Sequence, residues 1–217
     1  MNIRAVIWDI DGTLVDSEPL HLRVLLTTCA GHGINVSDLT DDKFVGMSNH
    51  GVWQALKDRF PSALTMQVWI DELNKSYVDQ SDTLIPISQV KEVVTEMSRQ
   101  GIVQAAVSNS NRPIVDVNLR VAGVAKFMAF TLSLDDVPVG KPSPIPYQMA
   151  AAELGLPLHE IIVVEDSVSG IQSAKAAGLV ALGFSPGNKK LPMADRSIEC
   201  LTGVLDFIHG SSESEQT

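Results

Sequence analysis

The chain has 217 residues, 45% of them hydrophobic and 19% charged, with a formal net charge of −10. That length suits one domain with a sizeable insertion, or two unequal domains. The acidic balance speaks against broad binding of nucleic acid or of an anionic membrane surface, while leaving room for a small anionic substrate held by a few local cations.

The opening residues run straight into an apolar strand, without a basic segment and apolar leader, and no apolar run approaches the length of a membrane span. A cytoplasmic protein is expected. Cys29 and Cys200 stand apart, each among apolar neighbours. Two free thiols are expected; a disulfide is the alternative, and nothing in the pattern asks for it.

Residues 3–9 read as a buried strand, apolar nearly throughout as in parallel sheets. Ser17 is placed to cap a helix with Glu18 and Pro19 in its first turn, continued by Leu20, Val24 and Cys29 and stopped by Gly31 and Gly33. Three further helical patterns follow, Ser37–Phe44, Gly51–Phe60 and Leu64–Tyr77, so residues 16–83 read as an all-helical block. From Pro86 the texture changes. Helices are expected over Val90–Arg99, Pro113–Val121, Pro144–Leu154, Ser169–Ala177 and Leu201–Ile208. Strands are expected over Ile102–Val107, Phe127–Leu132, Ile161–Val164 and Leu179–Phe184. Alternation of this kind means βαβ units and a doubly wound parallel α/β sheet, which the first strand must join. The small, polar tail Gly210–Thr217 is expected to be disordered.

The chemistry gathers at strand ends, where doubly wound sheets bind ligands. The first strand ends in Asp9-Ile10-Asp11-Gly12-Thr13. On a strand, residues two apart share a face. Two carboxylates held about 4 Å apart repel by about 4 kcal/mol at an effective dielectric near 20. A divalent cation, or a nucleophile working with a proton donor, gives that arrangement a purpose; two acids at a solvated strand end are the plainer alternative. The second core strand ends in Ser108-Asn109. Lys141 follows the third in Gly140-Lys141-Pro142, and the fourth ends in Glu165-Asp166.

These four motifs, in this order, resemble those of the haloacid dehalogenase-like superfamily of phosphohydrolases, and the resemblance covers nearly the whole chain. The helical block after the first motif is similar to the cap of the subgroup that includes β-phosphoglucomutase and phosphoglycolate phosphatase. The resemblance implies a core of residues 1–15 and 84–217 and a cap of residues 16–83, with hinges near Val15–Ser17 and Thr83–Pro86. It implies Asp9 as nucleophile, forming an aspartyl-phosphate, and Asp11 as the acid and then base, which asks for a raised pKa. Mg²⁺ would be held by Asp9, Asp166, the backbone carbonyl of Asp11, and Glu165 directly or through water. Ser108, Asn109 and Lys141 would bind the phosphoryl group, and losing Lys141 should cost rate far more than stability.

Two departures bear on specificity. Ile145 stands where the family usually has an acid that supports the lysine. In the cap, Phe44-Val45-Gly46-Met47-Ser48-Asn49-His50 lacks the cations of the mutase loop at their matching places. A mutase needs such cations for a distal phosphate. A phosphatase of a small, sugar-phosphate-like metabolite is therefore expected, with a β-phosphoglucomutase-like mutase as the alternative. Gly46, Met47, Ser48, Asn49 and Trp53 are the candidates for substrate contact, and Trp53 reads equally as cap core. His21, where the mutase has a hinge histidine, reads equally as a polar-face residue. A receiver-type signalling module shares the residue types but is shorter, without a helical insert after its first strand. An inert binding protein is the remaining alternative. No partner subunit is called for, and a monomer is expected.

Overall fold

The computed structural model describes residues 2–38, 47–187 and 190–213. Its strands are β1 (Ala5–Trp8), β2 (Val15–Asp16), β3 (Ile85–Pro86), β4 (Val103–Val107), β5 (Thr131–Leu132), β6 (Ile161–Glu165), β7 (Val180–Phe184) and β8 (Arg196–Ile198). Its helices are α1 (Glu18–Gly31), α2 (Asn49–Leu56), α3 (Met66–Asp79), α4 (Val90–Arg99), α5 (Arg112–Ala122), α6 (Ile145–Leu154), α7 (Val168–Ala176) and α8 (Thr202–Glu213).

Strand β1 is fully buried, as an uninterrupted apolar run demands of a strand covered on both faces. It lies inside a six-stranded sheet of order β5-β4-β1-β6-β7-β8, in which every pairing is parallel. The two faces follow the strand alternation. Val6 and Trp8 join a core with Val93 and Met97 of α4, Val115 of α5 and Val204 of α8. Ala5 and Ile7 join a second core with Tyr147 and Ala150 of α6 and Ile171 and Ala174 of α7. The buried Trp8 indole donates to Gln104 Oε1 at 3.0 Å, and Gln104 Nε2 donates to the Val94 carbonyl at 2.9 Å. That chain satisfies each buried polar group and ties α4 to the sheet.

From β1 the chain winds through β4 to β5, then returns to the other side of β1 for β6, β7 and β8. The order reverses at β1, so the carboxyl ends of β1, β4 and β6 open onto one crevice. Helices α1, α2 and α3 are inserted over it, with α3 packed against α1, α2 and α5. This helical layer carries an aromatic cluster in which Trp53 and Phe60 stack at 3.8 Å and Trp69 lies 5.2 Å from Phe60. Trp53 is therefore part of the insert's own core. Among the described residues no helix is long and apolar enough to cross a membrane.

Several expectations need correction. The insert leaves and returns through β2 and β3, an antiparallel pair with Val15 opposite Pro86 and Asp16 opposite Ile85. Two-residue strands have no periodicity to read. The three-residue edge strand β8 escapes for the same reason. The strand expected over Phe127–Leu132 narrows to β5, because Ala125–Phe127 forms a 3₁₀ turn. Helix α8 continues through Gly210 to Glu213, where disorder was expected to begin; once nucleated by its buried turns, a helix adds one hydrogen bond for each residue fixed. The helical pattern Ser37–Phe44 lies largely outside the described residues.

Candidate active site

Asp9 extends β1 by one residue, its N–H donating to the Val164 carbonyl at 2.9 Å. Its Oδ1 accepts from Lys141 Nζ at 2.6 Å, while Oδ2 is buried with no hydrogen-bond partner. Lys141 Nζ also donates to Glu165 Oε1 at 2.6 Å and to the Val107 carbonyl at 2.9 Å. The lysine side chain is 3% exposed and that of Glu165 is 0% exposed. Asp9, Glu165 and Asp166 bring carboxylate oxygens within 4.8 Å of one another. Three acids thus face one ammonium. Burial, and then the charge of Glu165, push the Asp9 carboxyl well above the carboxylate range, against the pull of Lys141. Burial alone would lower Lys141, but Asp9 and Glu165 hold it above its ordinary value.

The lysine's setting is built by residues from three elements. Asn109 closes a two-point clamp on its backbone: Oδ1 accepts from the Lys141 N–H at 2.8 Å and Nδ2 donates to the Lys141 carbonyl at 3.0 Å. The Asn109 amide, expected at the phosphoryl group, is thereby committed to Lys141. The acid opposite the ammonium is Glu165, so Ile145 leaves no gap there. Tyr147, on α6, donates its hydroxyl to Glu165 Oε1 at 2.8 Å. The other Glu165 oxygen accepts from Ser167 Oγ at 2.9 Å. Two glycines make the acid cluster sterically feasible. A Cβ on Gly170 would lie 1.8 Å from Glu165 Cδ, and one on Gly12, whose φ is +80°, would lie 2.2 Å from Asp166 Oδ2.

Asp11 lies in a different setting. Its Oδ1 accepts from Ser17 Oγ at 2.9 Å and Asn118 Nδ2 at 2.9 Å, and faces His21 Nε2 at 3.1 Å. Its Oδ2 accepts from Ser108 Oγ and Ser110 Oγ, both at 2.9 Å. Ser17 stands at the N-cap position of α1, but its hydroxyl serves Asp11 rather than the helix. The expected upward shift of Asp11 is reversed. Burial raises the carboxyl, but the hydrogen bond and charge of His21, with the two serine hydroxyls, outweigh it and hold the group below the usual range. His21 shows the complement: burial lowers it, and the bond to Asp11 wins, leaving it raised. The His21 ring also packs on Tyr77 at 4.5 Å between centroids.

These groups line one cavity of about 930 Å³ between the sheet's carboxyl edge and the helical layer. Asp9, Asp11, Asn109, Lys141 and Asp166 form its floor, and Met47, Ser48 and Asn49 reach it from the insert. Ser108 meets the site through Asp11. Trp53 does not line the cavity, and Gly46 lies outside the described residues. The sequence reading missed Ser17, Ser110, Asn118, Tyr77 and Tyr147. Ser110 was legible as a second hydroxyl beside Ser108; the others depend on contacts between distant elements.

The sequence profile of the haloacid dehalogenase-like hydrolase family matches residues 6–184. The chain is 28% identical over 230 residues to a phosphoglycolate phosphatase of Pectobacterium atrosepticum, covering 99% of this chain and 96% of the relative. Its fold resembles CbbY of Rhodobacter sphaeroides, solved in complex with phosphate, at a TM-score of 0.83 and 23% identity over 93% of this chain and 96% of that one. It also resembles a structure described as a candidate β-phosphoglucomutase of Thermotoga maritima, at a TM-score of 0.75 and 22% identity over 95% and 100% of the two chains. The chain belongs to the haloacid dehalogenase-like hydrolase family and is a phosphoric monoester hydrolase.

Proposed function

We propose that the chain is a Mg²⁺-dependent phosphatase that hydrolyses a small, sugar-phosphate-like metabolite through an aspartyl-phosphate on Asp9. One observation carries this reading. Asp9 has one oxygen held by Lys141 and the other buried, without a hydrogen-bond partner, on the floor of the cavity. Burying a carboxylate oxygen without a donor is costly unless a cation or a reacting phosphorus takes its place.

The donor set suits a hard divalent cation, being oxygen-only and in excess of the local positive charge. Asp9, Asp166 and the Asp11 backbone carbonyl would hold Mg²⁺, with Glu165 bound directly or through water. When bound, the ion neutralises the clustered acids and the phosphoryl oxygens. The protein's own groups do the rest. Asp9 attacks phosphorus as the bond to the leaving oxygen breaks, and Lys141 steadies the charge on both. Asp11 gives the leaving oxygen a proton, then takes one from the water that hydrolyses the aspartyl-phosphate. Asp11 lies below the usual range here, so its proton has to arrive as substrate binds. His21, bonded to it and raised, is the neighbour that carries one.

In this reading residues 16–83 act as a cap that closes over the core of 1–15 and 84–217, and Met47, Ser48 and Asn49 touch the substrate. Among the described residues Lys141 is the one lysine or arginine lining the cavity. That supports simple hydrolysis over a mutase, which has a second phosphate to hold. The test is phosphate release from a panel of phosphorylated metabolites, with Mg²⁺ and with a chelator. Release that needs Mg²⁺ and falls on the order of 10⁴-fold in Asp9→Asn is expected. Isomerisation primed by a bisphosphate, with little free phosphate, would mean a mutase, and no turnover of any member would defeat both.

A further inference from the structure

We propose that Asn118 is a positioning residue for the catalytic acid, itself anchored by the hydroxyl of Tyr77 from the helical insert. The proposal rests on the acid role given to Asp11 above. It begins with a misfit in α5. That helix buries Ile114, Val115, Val117, Leu119 and Ala122, and Asn118 sits among them fully buried. The fold alone asks for an aliphatic side chain there. An amide in that place costs stability unless both its ends are bonded, and asparagine is also a weak helix former.

Both ends are bonded, and to functional neighbours. Asn118 Nδ2 donates to Asp11 Oδ1 at 2.9 Å. Asn118 Oδ1 accepts from Tyr77 Oη at 2.9 Å. Tyr77 lies on α3, is almost fully buried, and packs against His21, which with Ser17 also faces that Asp11 oxygen. The Asp11 carboxylate only accepts, which settles which way the amide faces, and the tyrosine hydroxyl gives its hydrogen to the amide oxygen on the far side. Turned the other way, the amide would set an oxygen against a carboxylate oxygen. The insert thus reaches the acid through one side chain of the core, and a hydroxyl carried by α3 anchors the far end of the Asn118 amide.

A positioning role makes a kinetic prediction that a packing role does not. Protonation of the leaving oxygen matters for an alkyl phosphate and hardly at all for p-nitrophenyl phosphate, whose leaving group is stable as an anion. The experiment follows alcohol or phenol release in the first turnover, before hydrolysis of the aspartyl-phosphate, for glycerol 2-phosphate and p-nitrophenyl phosphate. Asn118→Leu should slow the alkyl substrate by about 10- to 100-fold, short of the roughly 10²- to 10⁴-fold contribution of a full general acid. The aryl substrate should change by less than about 3-fold. Tyr77→Phe keeps the ring and removes only the hydroxyl, and should show the same selectivity at about 3- to 10-fold.

Equal losses on both substrates, or none on either, would overturn the proposal. If Asn118→Leu does not fold, Tyr77→Phe decides alone. Asp11→Asn separates the two layers of inference. If it leaves the alkyl rate intact, the acid reading itself fails; if it abolishes that rate while Asn118→Leu and Tyr77→Phe behave as wild type, only the positioning role falls.

Discussion

Asp9 and Asp11 are the same residue type, two positions apart, on the wall of one cavity, and their surroundings push them in opposite directions. Asp9 shares its pocket with two further carboxylates and a single lysine, and one of its oxygens has no hydrogen-bond partner. Its carboxyl is raised. Asp11 is ringed by Ser17, Ser108, Ser110, Asn118 and His21, with no acid among its hydrogen-bond partners, and is lowered. Burial raises both, so burial does not explain the contrast. The count of donors against like charges does. The Asp9 side is an electrostatic deficit that a cation relieves. The Asp11 side is a filled hydrogen-bond shell, which fixes a carboxylate in place.

The sharpest way to break the contrast is to deepen the deficit. Lys141→Met removes the one cation between Asp9 and Glu165. A loss of roughly 10²- to 10³-fold in kcat is expected, as for removal of a group that stabilises transition-state charge. The structure also revises the expectation that rate would suffer far more than stability. With its ammonium buried against two buried carboxylates, loss of the lysine leaves uncompensated charge, worth about 3 kcal/mol or more of folding stability without metal. Urea unfolding with and without Mg²⁺ checks this. Mg²⁺ should recover more stability in Lys141→Met than in the wild type, because the deficit it fills is larger. No stabilisation of either protein would mean that the acids hold no metal, and equal stabilisation of the two would mean that Lys141 does not set the deficit the metal fills.

A smaller break displaces one acid without removing any charge. Gly170→Ala puts a methyl where Glu165 Cδ now lies, 1.8 Å away. Glu165 must shift, and it holds Lys141 and Tyr147. A displacement on the order of 1 Å at a positioned group costs up to about 10²-fold in rate. We expect a 10- to 100-fold fall in kcat with a modest change in KM. Gly170→Ala combined with Glu165→Gln should lose little beyond Glu165→Gln alone, because the alanine acts through that carboxylate.

Much of this site was legible in the chain. An apolar run ending in Asp9 and Asp11, and polar groups at the ends of β4 and β6 and after β5, name both the sheet and its crevice. The periods that announced β1, β4, β6 and β7 are the periods of buried parallel strands. What stayed hidden has a common physical cause. Tyr147 and Asn118 read as ordinary positions of α6 and α5, because nothing local says that a tyrosine's hydroxyl or an asparagine's amide is aimed at a carboxylate some distance along the chain. Asn109 showed its residue type but not its task, since the clamp on Lys141 needs two loops brought together. The direction of the Asp11 shift failed for a related reason. The role asks for a proton, whereas the shift reflects the donors present in one state, and those around Asp11 include Ser17 and Asn118, which the linear motif does not contain.

The finest test of the contrast asks which group carries charge across pH. His21 is raised by its bond to Asp11, so the stability it lends is fully present below its ordinary value of 6.5 and is lost as pH rises through the higher folded value. Asp11 is lowered, so its share is present above its ordinary value of 3.8 and is lost only as pH falls toward the depressed one. Between those limits the pair is an imidazolium bonded to a carboxylate. In His21→Gln the carboxylate keeps its serine and asparagine donors and loses the charged one. Unfolding by urea should therefore find the wild type ahead of His21→Gln by its widest margin between the two ordinary values, 3.8 and 6.5, with the margin closing as pH rises through the raised folded value and the imidazole loses its proton. A margin that stays flat over that range would mean that His21 is neutral throughout, and that its ring contributes only its packing on Tyr77.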